Sequence, residues 1–153
     1  MNWFWELLTN PYLITALSAW FLAQIIKTIL YAVMNGGLSL ERLFGDGGMP
    51  SGHSATVTSL AVFCALMHGT GSHEFAVSAI LAIIVCHDAM GVRFETGKQA
   101  QMINEIIRTV EVLSKQDLPE VKLKELVGHT PIQVLAGITI GICNAAMFYY
   151  WIL

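Results

Sequence analysis

The chain is 153 residues long, which is enough for one domain; 55% of its residues are hydrophobic and only 12% are charged. A soluble domain carries about twice that share of charge, so the composition excludes an ordinary soluble enzyme and indicates a small integral membrane protein. The net charge is −3 and the eight Lys and Arg residues form no basic tail or stripe, which argues against a nucleic-acid partner.

The first two elements are an aromatic N-terminal segment and a long apolar stretch. Residues 3–8 are rich in Trp, Phe and Leu and suit the headgroup boundary of a bilayer. Residues 11–34 are long enough to cross the membrane, interrupted mainly by Gln24 and Lys27. A cation inside such a helix costs about 2.5–3.5 kcal/mol, so Lys27 either contacts an anionic ligand, which we favour, or extends to the interface.

A glycine-rich loop over residues 35–50, which contains Arg42, leads into the sequence Met-Pro-Ser-Gly-His-Ser-Ala at residues 49–55. Ser51 and Gly52 lie where a helix start leaves backbone N–H groups for an anion. His53 in the same turn is able to deliver a proton near neutral pH. This turn therefore predicts phosphate chemistry at a membrane surface.

Residues 51–68 and 75–92 are short apolar runs that we predict as the second and third spans. Asp88 and Arg93 lie near the end of the third span. Asp88 either orients Arg93 or Lys27 for the site, or forms a buried structural salt bridge, and we favour the structural pairing. Three cysteines in apolar runs have no paired spacing, so we expect small buried side chains: Cys64, Cys86 and Cys143.

Residues 93–129 form a polar loop with six basic and six acidic residues. Apolar residues recur there at helical spacing, which predicts an amphipathic helix outside the membrane core: Met102, Ile103, Ile106, Ile107, Val110 and Leu113. The stretch over residues 97–113 is either a lid over the site or an interfacial brace.

The last span is predicted over residues 131–152, directly after His129. Thr130 as N-cap and Gln133 three residues later match a capping box, with proline at the first helical position. Gly137 and Gly141 form a GxxxG pair that permits close helix approach, either within the monomer or in a homodimer.

The charge distribution predicts how four spans are oriented. Seven of the eight Lys and Arg residues lie in the two loops that begin near residue 35 and residue 93. The positive-inside rule places those loops in the cytoplasm and both termini outside. The same topology brings His53, Arg93 and His129 to one membrane face. Phosphoryl transfer needs a nucleophile, a proton donor and fixed positive charge, and these residues offer all three.

At these positions the chain resembles the divergent branch of the type 2 phosphatidic acid phosphatases, which are related to vanadium haloperoxidases and bacterial lipid phosphatases. The matching segments cover most of the chain: Lys27, Arg42, residues 47–55 (GGMPSGHSA), residues 88–93 (DAMGVR) and residues 128–137 (GHTPIQVLAG). The central and last segments are specific when they occur together.

The resemblance implies a general acid at His53 and, at His129, a nucleophile that forms a phosphohistidine. It further implies that the phosphate is held without a metal or cofactor by Lys27, Arg93, Ser51 and Gly52, with Arg42 a weaker candidate. Three features depart from the family pattern. Arg93 stands 36 residues before His129 rather than six, four spans replace six, and Gln133 occupies the position of an acid. An amide there weakens activity or abolishes it.

We therefore expect an all-α membrane bundle of about four transmembrane helices, one domain over residues 1–153, in the bacterial cytoplasmic membrane. The first hypothesis is a metal-independent phosphatase acting on phosphatidic acid or on a polyprenyl phosphate or diphosphate. The second is a catalytically weak or inactive protein that binds or transports phosphorylated lipids. A third, a small helical subunit packed through the two glycines, leaves Lys27 and the two histidine turns unexplained.

Overall fold

In a computed structural model, residues 2–37, 48–114, 123 and 128–152 are described, and Arg42 lies outside them. These residues contain helices and no strands, which confirms the all-α fold class. The helices are α1 Trp3–Leu8, α2 Pro11–Asn35, α3 Gly52–His68, α4 His73–Met90, α5 Val92–Ser114 and α6 Pro131–Ile152.

Local capping residues set most of the helix ends. The Asn10 side chain accepts hydrogen bonds from the backbone N–H groups of Tyr12 and Leu13, and Pro11 begins α2. Gly36, with φ +69°, ends that helix in the left-handed conformation that glycine adopts without strain. Ser51 and Ser72 cap α3 and α4 in the same way as Asn10 caps α2. These ends agree with the predicted spans to within about two residues.

Three helical stretches in the described part of the chain are long and apolar enough to cross a membrane: Pro11–Asn35, His73–Glu111 and Pro131–Trp151. The predicted second span, α3, has 17 residues and is therefore about 26 Å long, which is shorter than a bilayer core. It packs against α2, α4 and α6 and forms the centre of the bundle. Because protein surrounds α3, the lipid thickness does not dictate its length.

The GxxxG pair on α6 is used within the chain. A β-carbon on Gly137 would lie 2.4 Å from the Ser51 carbonyl oxygen, and one on Gly141 would lie 2.6 Å from the Ala55 carbonyl oxygen. These distances mean that α3 approaches α6 closely enough to exclude any side chain at either glycine. Of the two alternatives, the structure shows packing within the monomer, and the possible homodimer remains a prediction without support from this pair.

Alanine at Gly141 is expected to destabilise the bundle. Its methyl group would press on the α3 backbone, so we expect a loss of roughly 1–3 kcal/mol in the free energy of unfolding and no change in oligomeric state. Thermal unfolding and size-exclusion chromatography in detergent measure both. Gly71→Ala is the matched control, because nothing lies within 4 Å of its β-carbon position. Equal stability of the two variants would contradict the close α3–α6 contact.

A buried polar cluster joins α2, α3 and α6 inside the bundle, away from His129. The Asn144 amide donates to the Thr15 carbonyl oxygen at 2.9 Å and lies 3.1 Å from both Ser18 Oγ and Ser59 Oγ. Hydrogen bonds of this kind hold membrane helices together where lipid supplies no hydrophobic driving force. The sequence analysis did not identify this cluster.

The two amphipathic segments expose their apolar side chains. No residue of α1 is buried, as expected of an interfacial segment. Along α5, the large apolar residues from Met102 to Leu113 are mainly exposed, and the Asn104 side chain bonds both the N–H and the carbonyl oxygen of Leu123. The choice between a lid and a brace remains a prediction.

The cysteine prediction is wrong at one position. Cys64 and Cys86 are buried, whereas Cys143 is exposed. Cys143 precedes the inward-facing Asn144 by one residue, and a step of 100° around the helix turns it away from the core.

Candidate functional site

Three helix ends meet at one end of the bundle. The His129 N–H donates to the Ala89 carbonyl oxygen at 2.9 Å, and the Ser51 N–H donates to the Gln133 carbonyl oxygen at 3.0 Å. Gly128, with φ +82°, lies so close to the Phe94 backbone that an added β-carbon would be 2.3 Å from the Phe94 nitrogen. These contacts place the start of α3, the junction of α4 with α5 and the start of α6 side by side.

His129 and Gln133 form the centre of this cluster. His129 is only 5% exposed, and its Nδ1 lies 3.2 Å from Gln133 Oε1. The same amide oxygen accepts the backbone N–H of Thr130 at 3.1 Å. Gln133 lies in the first turn of α6 and His129 lies just before that helix, so the helix start holds the amide oxygen against both the Thr130 N–H and the imidazole.

The Thr130 N–H determines which nitrogen of His129 carries the proton. A backbone N–H is a donor only, so the amide must present its oxygen and not its NH₂ group. That oxygen is an acceptor, so it receives the proton of Nδ1. An imidazole that is neutral and carries its proton on Nδ1 has its lone pair on Nε2, the arrangement that a nucleophilic or metal-ligating histidine requires.

Gln133 therefore fills both of the roles considered from the sequence. It bonds the Thr130 N–H as in a capping box and it contacts His129. The hydrogen bond from the N3 backbone N–H to the Thr130 side chain, which would complete the capping box, is not formed, because Thr130 Oγ1 is buried and has no hydrogen-bond partner in the described part of the chain. The helix start is closed instead by the Gln133 N–H, which donates to the Thr130 carbonyl oxygen at 3.0 Å.

The Ser51–Gly52 turn is rigid and covered. Ser51 is fully buried, and its hydroxyl oxygen accepts from the Ser54 N–H at 3.3 Å and from the Ser54 hydroxyl at 2.9 Å. Gly52 lies against the Trp20 indole, where an added β-carbon would be 3.3 Å from Cδ1. Helix geometry provides no intrahelical acceptor for the N–H groups of Gly52 and His53, whereas Ser51 Oγ accepts that of Ser54. Anion binding at this turn remains a prediction.

Lys27 lies beside this turn and is 6% exposed. A β-carbon on Gly48, just before the turn, would be 3.7 Å from both Cγ and Cδ of Lys27. A side chain that extended into water would be far more exposed. The structure therefore places Lys27 next to the predicted phosphate-binding turn, and the choice between contact with an anionic ligand and extension to the interface remains a prediction.

Asp88 and Arg93 form an ion pair in which Arg93 Nε donates to Asp88 Oδ2 at 2.6 Å. Their side chains are 41% and 53% exposed, so the expected pairing is present but the pair is not buried. Arg93 lies in the first turn of α5, next to the Gly128 backbone, rather than at the end of the third span. The contact with Asp88 is made through Nε of the guanidinium.

His53 occupies a different environment from His129. It is exposed and lines an apolar groove of about 360 Å³ together with Leu17, Trp20, Thr56, Val57 and Val85. His53 is in the first turn of α3, so it stands at the end of the groove nearest the Ser51–Gly52 turn.

Gln24, considered from the sequence only as an interruption of an apolar span, also lies at this end of the bundle. It is 5% exposed and lies three residues before Lys27 on the same face of α2. Two polar residues at i and i+3 within a membrane helix are a signal that was available in the sequence. Among the described residues, no group of three or more His, Cys, Asp or Glu side chains is arranged to hold a metal.

Comparison with known proteins gives two matches. The sequence profile of the divergent PAP2 family matches residues 8–144. The uncharacterized membrane protein YuiD of Bacillus subtilis is 41% identical over 155 aligned positions, which cover 95% of this chain and 98% of YuiD. No solved structure matches the chain significantly.

Proposed function

Because the chain belongs to the divergent PAP2 family, we propose that it is a metal-independent membrane phosphatase that hydrolyses a lipid phosphate or diphosphate through a phosphohistidine. The observation that carries the proposal is the hydrogen bond from His129 Nδ1–H to Gln133, with the amide held in place by Thr130. It leaves the Nε2 lone pair as the nucleophile, which is the first requirement of covalent phosphoryl transfer.

In the first step, His129 Nε2 attacks phosphorus and the bond to the leaving oxygen breaks. The leaving group is a lipid alcohol, or a lipid phosphate if the substrate is a diphosphate, and His53 gives it a proton. Lys27, the Arg93 guanidinium and the N–H groups of the Ser51–Gly52 turn stabilise the charge on the phosphoryl oxygens. Arg42 remains a weaker candidate for the same role.

In the second step, water attacks the phosphohistidine. The neutral His53 left by the first step takes a proton from that water, inorganic phosphate leaves, and both histidines return to their starting states. The cycle balances with water as the only co-reactant. The cycle needs a nucleophile and a proton donor on two different residues. The buried His129 is the nucleophile and the exposed His53 is the proton donor.

A non-catalytic function is favoured by one specific observation. The group on His129 Nδ1 is an amide, which is neutral, whereas a carboxylate would stabilise the imidazolium formed during attack. A protein that binds or transports phosphorylated lipids uses the same cationic pocket and needs no imidazolium. This second candidate predicts phosphate-dependent binding without turnover.

The membrane setting supports a lipid substrate. The site lies at one end of the helical bundle, where a head group at the bilayer surface would meet it, and the apolar groove beside His53 offers a surface for a hydrocarbon chain. We also propose that this end faces the cytoplasm, since seven of the eight Lys and Arg residues belong to the sequence segments 35–50 and 93–129, which a four-span topology puts on this side.

Phosphate release by the purified full chain in detergent tests the proposal. Phosphatidic acid and polyprenyl mono- and diphosphates are incubated with chelator present, and a radiolabelled substrate is quenched rapidly in base to trap the phosphohistidine. We expect chelator-insensitive release and a base-stable, acid-labile label on the protein. Binding of these lipids with no release from any of them would instead favour the non-catalytic function.

A further inference from the structure

The side chain of Gln24 contains a buried acceptor that no described residue uses. Gln24 is 5% exposed, and its Oε1 is buried and has no hydrogen-bond partner among the residues that the structure describes. Buried carbonyl oxygens are almost always hydrogen-bonded, so a specific exception calls for an explanation. The other amide oxygen at this end of the bundle, on Gln133, accepts two hydrogen bonds.

The unused oxygen lies at the predicted phosphate-binding turn. It is 3.9 Å from the position that a β-carbon on Gly52 would occupy. Gln24 is also one helical turn before Lys27, whose stem contacts the loop leading into the turn. Thus a helix start, a buried cation and a buried acceptor without a donor converge on the same small region.

The unsatisfied acceptor lowers the free energy of unfolding of the ligand-free protein. A methionine or leucine of similar volume would fill this space without burying an unsatisfied carbonyl group. The cost is recovered only when a molecule with a hydrogen-bond donor occupies the region. A fully deprotonated phosphate has no such donor, whereas a phosphate that carries one proton has a P–OH group.

We propose that Gln24 is a substrate-binding residue whose Oε1 accepts a hydrogen bond from the P–OH group of the bound phosphate. The inference rests on the proposed function, because it takes the Ser51–Gly52 turn and Lys27 to hold the phosphate. In this arrangement Lys27 and the helix start bind the charged oxygens, while Gln24 selects the singly protonated form. The residue therefore makes substrate binding depend on the protonation state of the phosphate.

Gln24→Met distinguishes this role from a structural one, because we expect the substitution to preserve or raise thermal stability while it lowers the affinity for phosphate. We expect the ligand-free variant to unfold at the same temperature as the wild type or higher, since an unsatisfied acceptor is gone. We expect its affinity for inorganic phosphate to fall by about tenfold to a hundredfold, the loss of one hydrogen bond to a charged ligand. Gln24→Leu tests the same two effects if the methionine variant does not fold.

Thermal unfolding of the full chain in detergent, titrated with inorganic phosphate, measures both effects. Gln101→Met is the control, because it makes the same change at an exposed position on α5. For a phosphate monoester such as a short-chain phosphatidic acid, the affinity ratio of wild type to Gln24→Met should shrink as pH rises through the second pKa of the monoester, where its one P–OH group is lost. Inorganic phosphate keeps one P–OH group above its own second pKa, so its affinity ratio should persist over the same pH range.

The outcomes distinguish the inference from the proposal on which it rests. If phosphate stabilises wild type and Gln24→Met equally, the inference is wrong and the phosphate site stands. A ligand-free variant that is less stable, with unchanged phosphate affinity, assigns Gln24 a structural role and also overturns the inference. If phosphate fails to stabilise even the wild type, the phosphate site itself is wrong and the inference fails with it.

Discussion

Replacing His129 with alanine abolishes phosphate release and covalent labelling, which is the largest effect expected of any single substitution in this protein. The covalent route requires the Nε2 lone pair, and no other side chain of the described cluster combines burial with a fixed tautomer. Loss of a nucleophile costs at least about 10³-fold in the rate of turnover. Initial rates of phosphate release in chelator measure it.

The matched control is His73→Ala, which removes an exposed histidine at the start of α4. It should leave the rate within a factor of about two of wild type, as surface substitutions usually do. Circular dichroism and size-exclusion chromatography verify that His129→Ala still folds. A folded His129→Ala variant that retained wild-type turnover would eliminate the phosphohistidine mechanism.

Converting Gln133 to glutamate raises the turnover rate by about 10- to 100-fold if the protein is a phosphatase, the size typical of a change in the group behind a reactive histidine. The carboxylate accepts the same two hydrogen bonds from His129 and Thr130 and adds a negative charge next to the imidazolium formed during attack. A protein that only binds or transports phosphorylated lipids would gain little. Steady-state kinetics at saturating substrate measure the change in kcat.

Gln133→Leu is the complementary variant. It removes the acceptor that holds Nδ1–H, so the imidazole loses its preferred tautomer and orientation, and we expect kcat to fall by about 10²- to 10⁴-fold. It also leaves the Thr130 N–H without its acceptor, so stability is measured alongside. If glutamate and leucine at residue 133 give the same kcat as glutamine, the contact with His129 plays no part in catalysis.

The Gln133 amide therefore differs from a carboxylate in its charge and not in the geometry of its contact with His129. An amide impairs a catalytic histidine most when its NH₂ group faces the ring and forces the wrong tautomer. Here the Thr130 N–H points to the same oxygen as His129 Nδ1 does, which prevents that orientation. What the amide lacks relative to a carboxylate is the stabilisation of positive charge.

Local sequence determined the helices and the choice of candidate site residues. Spans of about 20 apolar residues, Asn10, Ser51 and Ser72 as caps, and the amphipathic spacing after Arg93 act over one or two helical turns, so they are readable without a fold. His53 and His129 were identified for the same reason, since each lies at a helix start among residues whose local pattern is distinctive.

Tertiary structure decided everything that depends on contacts between distant residues. It showed that Gly137 and Gly141 pack against α3, that Asn144 bonds helices more than 80 residues away in sequence, and that Cys143 is exposed. It also revealed the orientation of the Gln133 amide and the unused oxygen of Gln24. Hydropathy reports whether a residue prefers lipid or protein to water, but which atom it meets depends on how the helices pack together.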